Sequence, residues 1–147
     1  MATFRRFEDI EAWKRGRELN VRIYELTSSG PFANDFALRD QIRRASISVS
    51  SNIAEGYARQ SPADFARFLV IARASAAEVI SQLYLALDLG YISGDAFESA
   101  RALAEEASAT CSGLIRYLRS ASGTVREPDL GWDLNPSELR TLNSELE

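Results

Sequence analysis

Asn52, Glu55 and Glu78 are the polar residues whose spacing first suggests chemistry. Asn52 and Glu55 stand one helical turn apart and share a face beside an apolar stripe. Glu78 follows a band of small residues that includes Ala72, Ala74, Ser75, Ala76 and Ala77. Glutamates on long helices raise the question of a dimetal carboxylate centre, which takes Glu-x-x-His pairs and further inward glutamates. The chain has no histidine, so that ligand set fails, and the usual general base for a serine or cysteine nucleophile is missing with it. The expectation is therefore no catalytic residue, no metal and no cofactor. Asn52, Glu55 and Glu78 are read instead as a structural polar network fixing helix register, with Arg43 or the serines around Asn52 as partners. A carboxylate buried without partners costs about 3–5 kcal/mol; the other reading is that Glu55 reaches solvent.

A second set is basic. Arg39, Arg43 and Arg44 lie within two turns, and Arg59 follows on the same segment. Read functionally, they grip phosphates of RNA or DNA, whose binding is dominated by such contacts. Read structurally, Asp40 pairs with Arg44 at i,i+4 and the group forms a solvated or interprotomer face. The basic set holds sixteen arginines and one lysine, Lys14. Arginine makes forked contacts that lysine cannot, although a GC-rich genome produces the same bias. Cys111 lies on an apolar seam, where a buried structural thiol is expected rather than a reactive one. No glycine-rich phosphate loop is present.

Four helices must position these groups. Ala12, Gly16, Leu19, Ile23 and Leu26 draw an apolar stripe over about 8–28, which Gly30-Pro31 ends. Asn34 or Asp35 caps a second helix reaching about Arg59. Its middle, Ser46, Ser48, Ser50, Ser51 and Asn52, competes for backbone hydrogen bonds, so it is expected to be weak or kinked unless packing holds it. Ser61-Pro62-Ala63-Asp64 opens a third helix, with Leu89-Gly90 as its stop. Ser93-Gly94-Asp95 opens a fourth, in which Phe97, Ala100, Ala104, Ala107, Cys111, Leu114 and Leu118 keep a seven-residue repeat to about Ser122. Short links between long helices imply an all-α, antiparallel up-down-up-down four-helix bundle over residues 1–123, with a short C-terminal extension.

That extension, residues 124–147, is acidic: Arg126 and Arg140 stand against six carboxylates. Asn135-Pro136-Ser137-Glu138 predicts a short helix within it, and Trp132 is a candidate contact with the bundle or a neighbour. An acidic segment that stays off the bundle is the other reading. The net charge of −4 argues against broad nonspecific nucleic-acid binding but leaves a local basic patch open. The chain lacks a secretory leader pattern, Arg67 and Arg73 interrupt its most apolar run, and one cysteine allows no internal disulfide. These features imply a cytoplasmic protein with no membrane role.

Phe7-Glu8-Asp9-Ile10-Glu11-Ala12-Trp13 resembles the F-x-D-[LI]-x-x-W opening of the small bacterial four-helix bundle proteins encoded in 23S rRNA intervening sequences. Gln41 to Ala45, Ser51-Asn52-Ile53-Ala54-Glu55-Gly56-Tyr57, Phe65 to Leu69 and Leu89-Gly90-Tyr91-Ile92 continue the resemblance in order. It implies a ring-forming homo-oligomer, most often a pentamer, with no known enzymatic activity. The accessory protein of diversity-generating retroelements, a pentameric relative, works with a reverse transcriptase and nucleic acid. Two features depart from the family pattern: Ser50 stands where proline is usual, and the chain is acidic where nucleic-acid-binding relatives are basic. The resulting expectation is a non-enzymatic homo-oligomer that binds RNA, DNA or a nucleic-acid enzyme, with no small-molecule substrate. The alternative is a protein-protein interaction scaffold with no nucleic-acid role.

Overall fold

The computed structural model describes residues 4–120, all helix and connecting segments with no strand among them. Trp132 and the expected short helix after Asn135 lie outside the described residues. A single 3-10 turn, Phe7–Asp9, precedes α1, Glu11–Leu26. The expected first helix is thus split: Ile10 takes an extended conformation and its fully buried side chain anchors the entry into α1.

Gly30-Pro31 does more than stop α1. Gly30 adopts φ +67°, a left-handed turn that suits a residue without a Cβ, and Pro31 then sits in the first turn of a five-residue helix, α2, Gly30–Asn34. The Asp35 carboxylate accepts from the Leu38 backbone N–H at 3.1 Å and caps α3, Phe36–Ala58. Despite its serines, α3 is one unbroken helix. Ser61 caps α4, Pro62–Asp88, accepting from the Asp64 N–H at 3.4 Å. At its far end Gly90, φ +74°, lets the Tyr91 N–H reach the Ala86 carbonyl at 2.9 Å, closing the last turn. Ser93 accepts from the Ala96 N–H at 3.1 Å to start α5, Gly94–Ser120.

α1 packs against α3 and α5, and α4 packs against the same two helices, forming a helical bundle. Its centre is filled by fully buried Leu19, Ile23, Ile42, Val49, Leu69 and Leu83. Each such side chain contributes about 1.5–3 kcal/mol of burial. Ala72, Ala76, Ala100, Ala104 and Ala107 are also completely buried, so small side chains fill part of the core on α4 and α5. α4 is the one described helix long and apolar enough, by length and composition, to cross a membrane. Part of its apolar surface packs against α3 and α5, while Ile71, Tyr84 and Leu85 remain exposed.

Candidate functional site

The serine run of α3 explains itself once helical spacing is applied. Ser46 and Ser50 are four residues apart and face one way; Ser48 and Asn52, also four apart, face another. Ser46 is fully buried, and its hydroxyl donates to the Asn20 Oδ1 of α1 at 2.6 Å. Asn20 Nδ2 donates in turn to Ser50 Oγ at 2.8 Å, and Ser50 Oγ donates to the Ile47 carbonyl at 3.2 Å. One amide thus satisfies two hydroxyls on the neighbouring helix. Gly16, one turn earlier on α1, allows the approach: a Cβ there would lie 3.3 Å from both Ser50 Cβ and the Ser50 backbone nitrogen.

On the α4 side, the Ser48 and Ser75 hydroxyls share a hydrogen bond of 2.9 Å. Asn52 Nδ2 donates to Ser48 Oγ at 2.9 Å and to the Ser48 carbonyl at 2.8 Å. One turn on, Gly56 admits Phe68 of α4 so closely that an added Cβ would fall 2.5 Å from Phe68 Cβ. The structure therefore joins Asn52 to Ser48 and, through it, to Ser75, and places Glu55 and Glu78 elsewhere. Glu55 is exposed and accepts from Arg59 at 3.3 Å. Glu78 is exposed and accepts from Gln41 Nε2 of α3 at 2.9 Å and from Gln82 Nε2 at 3.1 Å.

The arginines divide in the same way. Arg43 Nε donates to buried Thr27 Oγ1 at 2.8 Å, and its NH2 donates to the Thr27 carbonyl at 3.2 Å. A cation placed on the carbonyl end of α1 complements that helix's dipole. The guanidinium also lies 4.2 Å above the Tyr24 ring. Arg39 binds Asp40 at 2.9 Å and the Ala33 carbonyl of α2 at 3.0 Å, and stacks over Phe36. Asp40 is thereby engaged by Arg39 rather than by Arg44, which is exposed and has no ion-pair partner among the described residues. Arg59 follows the far end of α3, roughly 22 Å along the axis from Arg44 at 1.5 Å per residue. Arg39 and Arg43 staple helix ends, and the four arginines do not converge on one surface.

Titratable chemistry is sparse. Burial pushes the Cys111 thiol up to about 12, opposed only by the charge of Arg73, so it stays protonated and unreactive at neutral pH. The Tyr91 hydroxyl donates to Asp35 Oδ2 at 3.0 Å, and that bond raises its pKa above the ordinary phenol value. The Arg5 backbone N–H donates to the Asp9 carboxylate, which lies below its ordinary pKa chiefly for that reason. Among the described residues no three His, Cys, Asp or Glu side chains gather as a metal site. A shallow, solvent-open groove of about 550 Å³ runs along α1 past Val21 and Leu103, flanked by charges of both signs.

Asn20 and Thr27 are not singled out by the sequence pattern, and Gly16 enters it only as a member of the apolar stripe of α1. Their signal was present: Gly16, Asn20, Ile23 and Thr27 recur at three- and four-residue steps along α1, so two polar residues lie on a buried edge.

A family model described as 23S rRNA-intervening sequence protein matches residues 8–113. Among solved structures, the chain is similar to a protein of unknown function from the S23 ribosomal protein family of Bacteroides thetaiotaomicron VPI-5482. The two are 28% identical, the match covers 71% of this chain and 95% of that one, and the TM-score is 0.66. No curated protein matches the chain.

Proposed function

The chain belongs to the 23S rRNA-intervening sequence protein family, and we propose that it works without catalysis, as a homo-oligomer that binds a macromolecule. In this reading residues 1–123 form an antiparallel up-down-up-down four-helix bundle and residues 124–147 a separate acidic tail. Cross-helix partners support that chain direction: Thr27 meets Arg43 while Asn20 meets Ser50, and Gln41 meets Glu78 while Ser48 meets Ser75. Sequence number rises on one helix as it falls on the next.

The observation that carries the binding role is the outer surface. Val21, Tyr24, Phe36, Ile47, Ile71, Tyr84, Leu85 and Leu89 stand between 41% and 63% exposed, spread over α1, α3 and α4 and the end of α4. Apolar side chains presented on several helices suit contact between copies or with a protein partner. The pentameric ring implied by the family resemblance would cover part of them. Arg44 and Arg59 are then the candidates for contact with RNA, DNA or a nucleic-acid enzyme, while Arg39 and Arg43 hold the fold. In this reading it works in the cytoplasm. The net charge of −4 favours a second reading, a protein-protein scaffold in which Trp132 makes the contact.

Light scattering of the full chain tests assembly: five times the chain mass is expected, and a monomer at every concentration rejects the ring. RNA and DNA retention at graded salt separates the two readings. Binding that weakens steeply with salt supports the first, whereas none at about 50 mM salt leaves only the scaffold.

A further inference from the structure

Charge is divided along the bundle axis. Tyr57 donates to the Phe4 carbonyl at 3.1 Å, Arg73 to Ser112 at 3.3 Å, and Gly56 lies against Phe68, so residues 4–18, 48–75 and 108–120 share one end. Those segments carry ten basic and six acidic side chains, a net of +4. The other helical residues, 19–47 and 76–107, carry five basic and nine acidic, a net of −4. The body is neutral in sum and dipolar in arrangement.

At the basic end, Arg6, Arg59 and Arg67 pair with partly or fully exposed carboxylates at 3.3 to 3.5 Å. Exposed pairs of this kind are worth about 0–1 kcal/mol and exchange readily for a better partner. Arg59 and Arg67 both lie over the Phe68 ring, at 5.1 and 5.0 Å, which holds the two guanidinium groups side by side. The described part of α5 reaches this same end at Ser120, with Arg116 and Arg119 in its last turns. The residues that follow, 121–147, carry two basic and six acidic side chains, a net of −4, with Trp132, Leu134, Leu139 and Leu142 among them.

We propose that the acidic segment 124–147 binds the basic end of the bundle to which it is joined. Its carboxylates replace the weak surface partners of Arg59 and Arg67 and pair with exposed Arg119, and Trp132 offers a ring to a guanidinium, a favourable contact. The tether is long enough. Twelve residues from Ser120 to Trp132 reach up to about 40 Å, against roughly 20 Å across two packed helices. A short tether also gives the tail an effective concentration in the millimolar range, so weak contacts are enough.

Trp13→Phe leaves Trp132 as the sole tryptophan and makes the tail visible by fluorescence in the full chain. Bound, Trp132 is shielded from acrylamide at low salt. The shielding should fall by at least about half near 1 M NaCl, where the screening length is about 3 Å. Arg59→Glu, Arg67→Glu and Arg119→Glu together should abolish it at low salt, while Arg44→Glu, in the acidic half, leaves it unchanged. Quenching indifferent to both salt and the triple reversal overturns the proposal. Should the triple variant not fold, Arg119→Lys keeps the question open to measurement. Zero-length carbodiimide crosslinking that joins Lys at that position to carboxylates of 127–147 supports the contact, and its absence rejects it. Reversed copies retaining Trp132 can also be mixed with Trp132→Phe copies whose basic end is intact. Regained shielding would move the tail onto a neighbouring copy and overturn the own-bundle assignment.

Discussion

α3 has two polar seams, and they are built on opposite logics. Toward α1, an amide on the facing helix reaches across and bonds Ser46 and Ser50, so the link is directional and crosses the interface twice. Toward α4, the amide belongs to α3 itself: Asn52 spends its donors on Ser48, and one hydroxyl pair, Ser48 with Ser75, crosses. There the register comes from shape, with Phe68 lodged where Gly56 has no side chain. One seam is specified by hydrogen-bond direction and the other by close fit. The serine-rich helix is stable because the Ser46, Ser48 and Ser50 hydroxyls, which would otherwise compete for its backbone, each have a partner, and Ser51 faces solvent.

The largest expected effect comes from filling the close fit. Gly56→Ala would place a Cβ 2.5 Å from Phe68 Cβ, an atom fixed to its own backbone, so α4 must shift. Because that atom cannot yield by rotation, the overpacking cost lies at the upper end of about 1–3 kcal/mol and outweighs the helix-propensity gain of about 1 kcal/mol that alanine brings. Gly16→Ala meets its neighbours at 3.3 Å, a contact relieved by small movements, and the same propensity gain brings it within about 1 kcal/mol of the parent. Urea unfolding of both variants makes the comparison. A Gly56→Ala protein as stable as Gly16→Ala would remove the steric account of the α3–α4 seam.

Next in size is the directional seam. Asn20→Ala strands the fully buried Ser46 hydroxyl and leaves nearly buried Ser50 only its bond to the Ile47 carbonyl, at about 1–2 kcal/mol. Asn52→Ala leaves the Ser48–Ser75 bond in place and frees a half-buried carbonyl that is already bonded within the helix, so it should cost about 0.5–1.5 kcal/mol. In a double-mutant cycle, Asn20→Ala with Ser46→Ala should be non-additive, because the two residues share one bond. Asn52→Ala proving the more costly variant would reverse the assignment of roles.

Much of the fold was legible because helix ends announce themselves. Asp35, Ser61-Pro62 and Ser93 cap where their side chains suit, and Gly90 closes α4. The start of α1 was less legible, since Ile10 ends a 3-10 turn and begins the helix with no side-chain cap to mark it. The same holds for Gly30-Pro31, a pair that ends one helix and starts another. The serine run was visible as an anomaly, but Asn20 was not, because a helical pattern cannot say which facing residue meets which. For that reason the pattern groups Glu55 and Glu78 with Asn52, whereas in the structure Glu78 is met by Gln41 and Glu55 by Arg59. The role of Gly56 depends on Phe68, twelve positions later on another helix, which no local pattern can pair with it.

Glu55 gives the smallest expected effect and the sharpest control on the comparison. Its side chain is 57% exposed and its one ion pair, to Arg59 at 3.3 Å, is within a single helix. Removing the charge therefore leaves no buried group unpaired, and water takes the place of the guanidinium. Glu55→Gln should change stability by no more than about 0.5 kcal/mol and leave the solution mass unchanged. If it instead cost as much as Asn20→Ala, Glu55 would have to be buried in the working protein against something beyond its own helix. The surface around Arg59 would then belong with the seams as a site where register or assembly is specified.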